Sequence, residues 1–115
     1  MRDGSFYIGA FKDGMKHGNG YQKWADQSDY KGEWKFNKIS GKGIYKWKDG
    51  RVYDGKWVDN DMHGHGVFTF SDGRKYEGEF VKNKRQGKGQ HIWPDGRKYD
   101  GEWVDGKPHG IGKFT

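Results

Sequence analysis

Hydrophobic and polar residues alternate along much of the chain. In the segment YDGKWV at residues 53–58, tyrosine, glycine and tryptophan alternate with two charged residues and a valine. In GHGVFTF at residues 64–70, glycines and phenylalanines alternate with other types. A period of two residues is typical of a strand with two unlike faces. The two segments therefore predict paired strands, with one face of rings and glycines and the other mostly polar.

This strand pair recurs with a period of 23 residues. Each recurrence opens with a tyrosine: Tyr7, Tyr30, Tyr53, Tyr76 and Tyr99. All 21 glycines fall at only five positions of that period. A strict period of this length indicates a repeat architecture. We divide the chain into repeats at 7–29, 30–52, 53–75 and 76–98, a partial repeat at 99–115, and the tail of a preceding repeat at 1–6.

Each repeat carries two turn signals. Position 8 holds only glycine or asparagine: Gly14, Asn37, Asn60, Asn83 and Gly106. These two residue types best tolerate a positive φ, so position 8 is predicted to be the left-handed residue of a hairpin turn, which spans residues 59–63 in the third repeat. Asp-Gly at positions 20 and 21 predicts the second turn. The first repeat has Asp26-Gln27 there, which predicts a looser turn.

Large rings and glycines indicate a register for the hairpin. We expect Trp57 to lie opposite Gly66 and Gly55 to lie opposite Phe68, so that each glycine gives room to a facing ring. Glycine costs roughly 0.5–1 kcal/mol inside a strand, and three in each repeat make sense only if rings need the space.

Composition narrows the fold class. The chain contains no leucine, and its only alanines are Ala10 and Ala25. Because helix packing normally relies on these residue types, the composition disfavours a helix bundle. Hairpins joined by short turns instead predict an all-β fold, a single-layer twisted antiparallel sheet of stacked β-hairpins. Strand spacing gives this rod a length on the order of 45–50 Å.

Candidate catalytic chemistry is sparse. His17, His63 and His109 share one repeat position and are therefore spaced along the rod, where they cannot converge on one metal. The acidic residues of the Asp-Gly turns are separated in the same way. The sequence therefore predicts a protein that is not an enzyme and has no metal and no cofactor. The absence of cysteine and of an apolar signal segment predicts a cytoplasmic location.

The repeated segments resemble the MORN repeat (membrane occupation and recognition nexus). The openings YKGEW, YDGKW, YEGEF and YDGEW and the segments KHGNG, MHGHG and PHGIG carry the resemblance, which extends from Tyr7 to Thr115. Ser40 and Gln86 depart from it, because they stand where the family has histidine. The resemblance implies a single-layer hairpin rod that scaffolds or tethers other proteins. Such arrays occur in cytoskeletal and ciliary proteins, so association with those structures is expected.

A single-layer sheet has no second layer to cover its rings. We therefore expect the ring-bearing face to be partly exposed and to bind an extended or helical segment of a partner protein. Eight residues are predicted to form this partner-binding face: Tyr30, Trp34, Tyr53, Trp57, Tyr76, Phe80, Tyr99 and Trp103.

The net charge of +6 leaves alternatives open. Basic turns could contact anionic phospholipid headgroups, each cation contributing about 1 kcal/mol near a charged membrane. The candidate residues are Lys35, Lys38, Lys42, Lys82, Lys84 and Arg85. The array could also serve as a regulatory module of an enzyme located elsewhere, or self-associate through its edge strands. Nucleic acid is the least favoured partner, because 16 acidic residues are interspersed among 22 basic ones.

Overall fold

A computed structural model describes residues 4–115, which form ten strands and no helix. The strands are β1 (Phe6–Lys12), β2 (Met15–Lys23), β3 (Asp29–Lys35), β4 (Lys38–Lys46), β5 (Val52–Val58), β6 (Asp61–Thr69), β7 (Lys75–Val81), β8 (Lys84–Ile92), β9 (Lys98–Val104) and β10 (Lys107–Phe114). The predicted all-β fold is confirmed. Of the predicted tail at 1–6, residues 1–3 lie outside the described part of the chain.

The ten strands form one open antiparallel sheet in which sequence order and spatial order are the same. The described residues extend over 49 × 25 × 18 Å, and the long dimension agrees with the predicted length of the rod. Because each strand pairs only with its neighbours along the chain, every repeat contacts only adjacent repeats, as in other solenoid-like arrays.

The hairpin turn inside each repeat contains two residues, both with positive φ. In the third repeat, φ is 46° at Asp59 and 72° at Asn60. Two consecutive left-handed residues define a type I′ turn, whose twist matches that of the strands. The prediction for position 8 is confirmed. The predicted span of 59–63 is too long, because residues 61–63 already belong to β6.

The link between the first two repeats is not looser than the others. Gln27 has a φ of 79°, and its N–H donates a hydrogen bond to the Trp24 carbonyl at 3.1 Å. Gly50 at the next link has a φ of 98° and donates to the Trp47 carbonyl at the same distance. The expectation of a looser turn is therefore wrong. The surrounding hydrogen bonds hold glutamine in a backbone conformation that glycine adopts without strain.

The register differs from the prediction. Gly55 pairs with Gly66, and Trp57 pairs with Met62, so the expected pairing of Trp57 with Gly66 is wrong. Between these pairs, Lys56 faces the three residues 63–65, which form a bulge. Gly64 lies in the bulge with a φ of 91°. The same irregularity recurs in the other hairpins.

Glycines pair with each other because the tyrosine ring lies along the strands. The Tyr53 side chain extends over both Gly55 and Gly66, and its hydroxyl donates a hydrogen bond to the Lys56 carbonyl at 2.9 Å. A Cβ on Gly66 would overlap the Tyr53 ring. The two glycines therefore form one bare patch under one ring, where we had expected each glycine to face a separate ring.

We expect Gln27→Gly to stabilise the fold. The change removes the strain of a non-glycine residue at positive φ, which is roughly 1–2 kcal/mol. Glycine makes the unfolded chain more flexible, and this entropy offsets part of the gain. The net gain should be about 0.5–1 kcal/mol in the free energy of unfolding, measured by denaturant titration. Unchanged or lower stability would show that the Gln27 turn carries no strain.

We expect Gly66→Ala to destabilise the fold by about 1–3 kcal/mol, because the added methyl displaces the Tyr53 ring. The matched control is Gly96→Asn. Gly96 has open space around its Cβ position, and asparagine tolerates its left-handed φ, so the cost there should stay within about 1 kcal/mol. Equal losses at the two sites, measured by denaturant titration, would argue against the packing of the ring on the glycine pair.

Candidate interaction face

The eight predicted face residues form one continuous contact chain, here called the inner ring row. Each ring at position 5 stands edge-on between the tyrosine of its own repeat and that of the repeat before. Trp57 lies 5.0 Å from the Tyr53 ring centroid and 5.8 Å from that of Tyr30, at near-perpendicular angles. Edge-to-face pairs of this kind are worth about 0.5–1.5 kcal/mol beyond their buried area. The row therefore joins successive repeats.

Hydrogen bonds fix the orientation of these rings. The indole N–H of Trp57 donates to the Gly43 carbonyl of the preceding repeat at 3.2 Å, and Trp34 and Trp103 make the equivalent bond. Phe80 lacks this donor. Each such bond contributes about 1 kcal/mol net. The tryptophans therefore connect neighbouring repeats both by a hydrogen bond and by ring packing.

The inner ring row is buried. Tyr30, Tyr53 and Tyr76 have no exposed surface, and Tyr99, the most exposed of the eight, is 7% exposed. The expectation that these rings are partly exposed is wrong, because neighbouring rings cover one another within the single layer. Their part in partner binding stays a prediction. Their first role is to form the core.

A second row of rings lies along the repeat-link edge of the same face and is partly exposed. This rim ring row contains Trp24, Tyr45, Trp47, Phe70 and Trp93. Tyr45 lies 5.8 Å from Trp57 of the inner ring row, and Trp47 lies 5.4 Å from buried Phe68. The surface that the ring face offers to a partner is therefore the rim ring row.

Arginines cover the rim rings and are themselves held by aspartates. The Arg74 guanidinium lies 4.9 Å from the Phe70 ring centroid, and its Nε is 2.7 Å from an oxygen of Asp72. The same arrangement recurs at DGR segments 49–51 and 95–97, over Trp47 and Trp93. Sequence reasoning missed it, although the repeated DGR was a usable signal.

Each turn aspartate accepts a backbone hydrogen bond as well. Asp72 accepts from the Arg74 N–H at 3.1 Å, and hydrogen bonds of this kind lower the pKa of Asp72 from its usual value. The carboxylate therefore stays ionised at neutral pH and holds the arginine in place. Three ring–arginine–aspartate units follow one another along the rim.

The hairpin-turn edge is joined by asparagines at position 8. Asn60 donates its backbone N–H to the Ile39 carbonyl at 2.8 Å, and its side-chain oxygen accepts from the Ile39 N–H at 2.8 Å. Asn37 and Asn83 make the same pair of bonds to the preceding repeat. Asparagine thus satisfies the turn φ and links neighbouring repeats, which sequence reasoning had not assigned.

The six predicted lipid-contacting cations do not form one patch. Lys35, Lys38, Lys82 and Lys84 are exposed at or beside the hairpin turns. Lys42 lies on the opposite face of the sheet, beside a shallow groove that Ile8 and Ile44 also line. Arg85 pairs with Phe80 and lies half-buried on the ring face. Only the four lysines share an edge.

Within residues 4–115, no three histidines or carboxylates come together as a metal site requires. His17 accepts a long hydrogen bond, 3.4 Å, from the Phe36 N–H in the next hairpin turn. Residues 4–115 contain no helix that could span a membrane.

Comparison with known families supports the repeat period. A family model described as MORN repeat matches residues 7–28, 30–50, 53–73, 76–96 and 99–115. No curated protein matches the chain significantly. The matched segments begin at Tyr7 and at the four tyrosines of the inner ring row, so the family pattern coincides with the structural period.

We expect the fold to be lost in alkaline solution. Burial raises the pKa of Tyr30, Tyr53 and Tyr76, in the last case to about 12. Unfolded tyrosines ionise near pH 10, while the folded ones keep their protons. The stability that these residues contribute is thus fully present below pH ~10, and it declines as pH rises from there through the pKa values of the folded state. Tyrosinate absorbance and circular dichroism should change together. Ionisation of all tyrosines near pH 10 without unfolding would contradict this.

Proposed function

The chain belongs to the MORN repeat family, and from that premise we propose that it is a non-enzymatic scaffold that tethers a partner protein along its ring face. Repeats of this family are generally linked to membrane or protein interaction and are generally non-catalytic. A rod with contacts only between neighbouring repeats presents an extended surface, which suits a linear segment of a partner.

The observation that carries this proposal is the row of ring–arginine–aspartate units at the rim. Trp47 and Trp93 are partly exposed, and each is covered by an arginine that a carboxylate holds in place. Tryptophan and arginine are among the residue types most enriched at binding hot spots. Fixing the arginine before binding lowers the entropy cost of docking. The eight predicted residues then support the rim from beneath and contact a partner only at their edges.

The proposed setting is the cytoplasm, in association with cytoskeletal or ciliary structures. This part of the proposal rests on the occurrence of such arrays in proteins of those structures. The array could equally regulate an enzyme located elsewhere, and the same rim would then dock that enzyme.

A second candidate function is peripheral binding to anionic phospholipid. Lys35 and Lys38 of one repeat and Lys82 and Lys84 of another are exposed along the hairpin-turn edge, which favours it. Asp59, Asp61 and Asp105 lie along the same edge and weaken its attraction for an anionic surface. Protein binding is therefore the stronger proposal.

The double variant Trp47→Ala/Trp93→Ala tests the rim. Truncating Trp57 or Phe80 would measure stability, since both are core residues. The control is Ile44→Ala/Val58→Ala, which removes exposed apolar side chains from the opposite face. Proteins captured from source-cell extract by the unaltered chain should also be captured by the control. The rim variant should bind them at least about tenfold more weakly.

Equal capture by the rim variant, with its folding verified by circular dichroism, would reject docking at the rim. Co-sedimentation with phosphatidylserine vesicles separates the second candidate. Vesicle binding that is abolished by Lys38→Glu/Lys84→Glu and insensitive to the rim variant would favour the membrane.

A further inference from the structure

A small pocket lies in the ring face where the third, fourth and fifth repeats meet. It has a volume of about 200 Å³ and is lined by apolar Met62, Phe70 and Phe80 together with the cations Lys84 and Arg85. No carboxylate lines it. The volume is that of six or seven waters, roughly, and is below the range of small-molecule sites, so the pocket suits one side chain of a bound segment.

Arg85 differs from the residues at its place in the two repeats before it. The second and third repeats hold buried apolar residues, Ile39 and Met62, at the same position. The guanidinium lies 4.7 Å from the Trp103 ring centroid and donates one hydrogen bond, from Nη2 to the Gly106 carbonyl. A cation is thus placed among rings where the repeat pattern favours an apolar side chain.

The charge of Arg85 is not balanced by the surrounding repeats. Among residues 4–115, no carboxylate lies within ion-pair distance of it, whereas nearby Arg74 pairs with Asp72 at 2.7 Å. Arginine has five N–H donors, and this one uses a single donor on protein. Desolvation lowers the pKa of Arg85, but the residue stays charged at neutral pH.

His91, a neighbouring residue, lies close to the positive charges of Arg85 and Arg74. His91 is 6% exposed, and its Nδ1 has no hydrogen-bond partner among the described residues. Desolvation, followed by the charges of Arg85 and Arg74, lowers the pKa of His91. Asp72, which pairs with Arg74, acts on His91 in the opposite direction, and no carboxylate within residues 4–115 pairs with Arg85 itself.

The first repeat shows how such a cation is otherwise accommodated. Lys16 occupies the position of Arg85, and its Nζ donates to the Gln22 side-chain oxygen at 2.5 Å. The residue in the place of Gln22 in the fourth repeat is His91, which gives Arg85 no hydrogen bond. Lys16 thus has a side-chain acceptor within its own repeat, whereas Arg85 has only the Gly106 carbonyl of the next repeat.

We propose that this pocket receives the carboxylate of a glutamate or aspartate side chain, next to an apolar residue, in a protein segment bound along the ring face. The inference rests on the proposed function and adds the chemistry of the partner. Arginine binds carboxylates through two parallel bonds, which gives direction as well as affinity. A lipid phosphate fits less well, because the guanidinium is half-buried among rings.

The probe is 3-phenylpropionate, which joins a carboxylate to an apolar ring, and its matched control is the neutral 3-phenylpropanamide. Each is titrated into the full chain while the Arg85 Nε–H and the Trp103 indole N–H are followed by NMR. We expect saturable shifts of both signals with the carboxylate, and at least about tenfold weaker binding of the amide.

Arg85→Met keeps the aliphatic stem and should abolish the preference for the carboxylate. Lys16→Met removes the same charge at the equivalent position of the first repeat and should leave it intact. If Arg85→Met fails to fold, Arg85→Lys, which loses the two-pronged geometry, should still bind the carboxylate several-fold more weakly.

Equal affinity for acid and amide, or no shift at either signal, would overturn the inference. A response of Arg85 to phosphatidylserine vesicles but not to 3-phenylpropionate would overturn it in favour of lipid. The rim variants test the proposed function separately. Rim binding without carboxylate selectivity at Arg85 would leave the scaffold role standing and remove only this inference.

Discussion

A tyrosine ring lying over two paired glycines is the contact on which the rest of this structure depends. Tyr53 covers Gly55 and Gly66, and any side chain on Gly66 would occupy the space of the ring. The contact sets the register of the hairpin, since a shift of one strand would put a side chain beneath the ring. It also allows a single layer to bury large side chains, because the ring occupies the space that a side chain on the glycines would fill.

Coupling between repeats follows from that placement. With the tyrosines fixed, the space between two of them accepts the ring at position 5, and the tryptophan N–H reaches the preceding repeat. Asn60 and its equivalents join the same repeats at the hairpin-turn edge of the sheet. Stability is therefore shared between neighbours, as expected of a quasi-one-dimensional array.

The ring face divides into two rows, and the outer of them is the surface proposed to bind a partner. The inner ring row forms the core. The rim ring row keeps partly exposed tryptophans, which are covered by arginines that aspartates hold in place. Substitutions within the repeat pattern then distinguish one repeat from another without disturbing the frame. Arg85 and His91 are the clearest case, since they replace apolar and aromatic residues of neighbouring repeats. A uniform rod thereby gains a local site.

The period, the strands, the sheet and the left-handed turn residue could be predicted from the sequence, because alternation and glycine placement report directly on backbone geometry. The register could not, since it depends on whether the Tyr53 ring lies along its strand or across to the next. Burial of the eight face residues was missed for a related reason: a single layer covers its rings with other rings. The ring–arginine–aspartate units and the side-chain hydrogen bond of Asn60 to the preceding repeat were missed, because turn formation already accounted for those residues.

Ring-current shifts give the most direct measurement of the central contact. If each tyrosine lies over its glycine pair, Hα signals of Gly43, Gly66 and Gly89 should move well upfield of those of the turn glycines Gly50, Gly73 and Gly96. Tyr53→Leu should abolish the shift at Gly66 and leave the shifts at Gly43 and Gly89 unchanged. Similar Hα shifts for the strand and turn glycines would contradict the account.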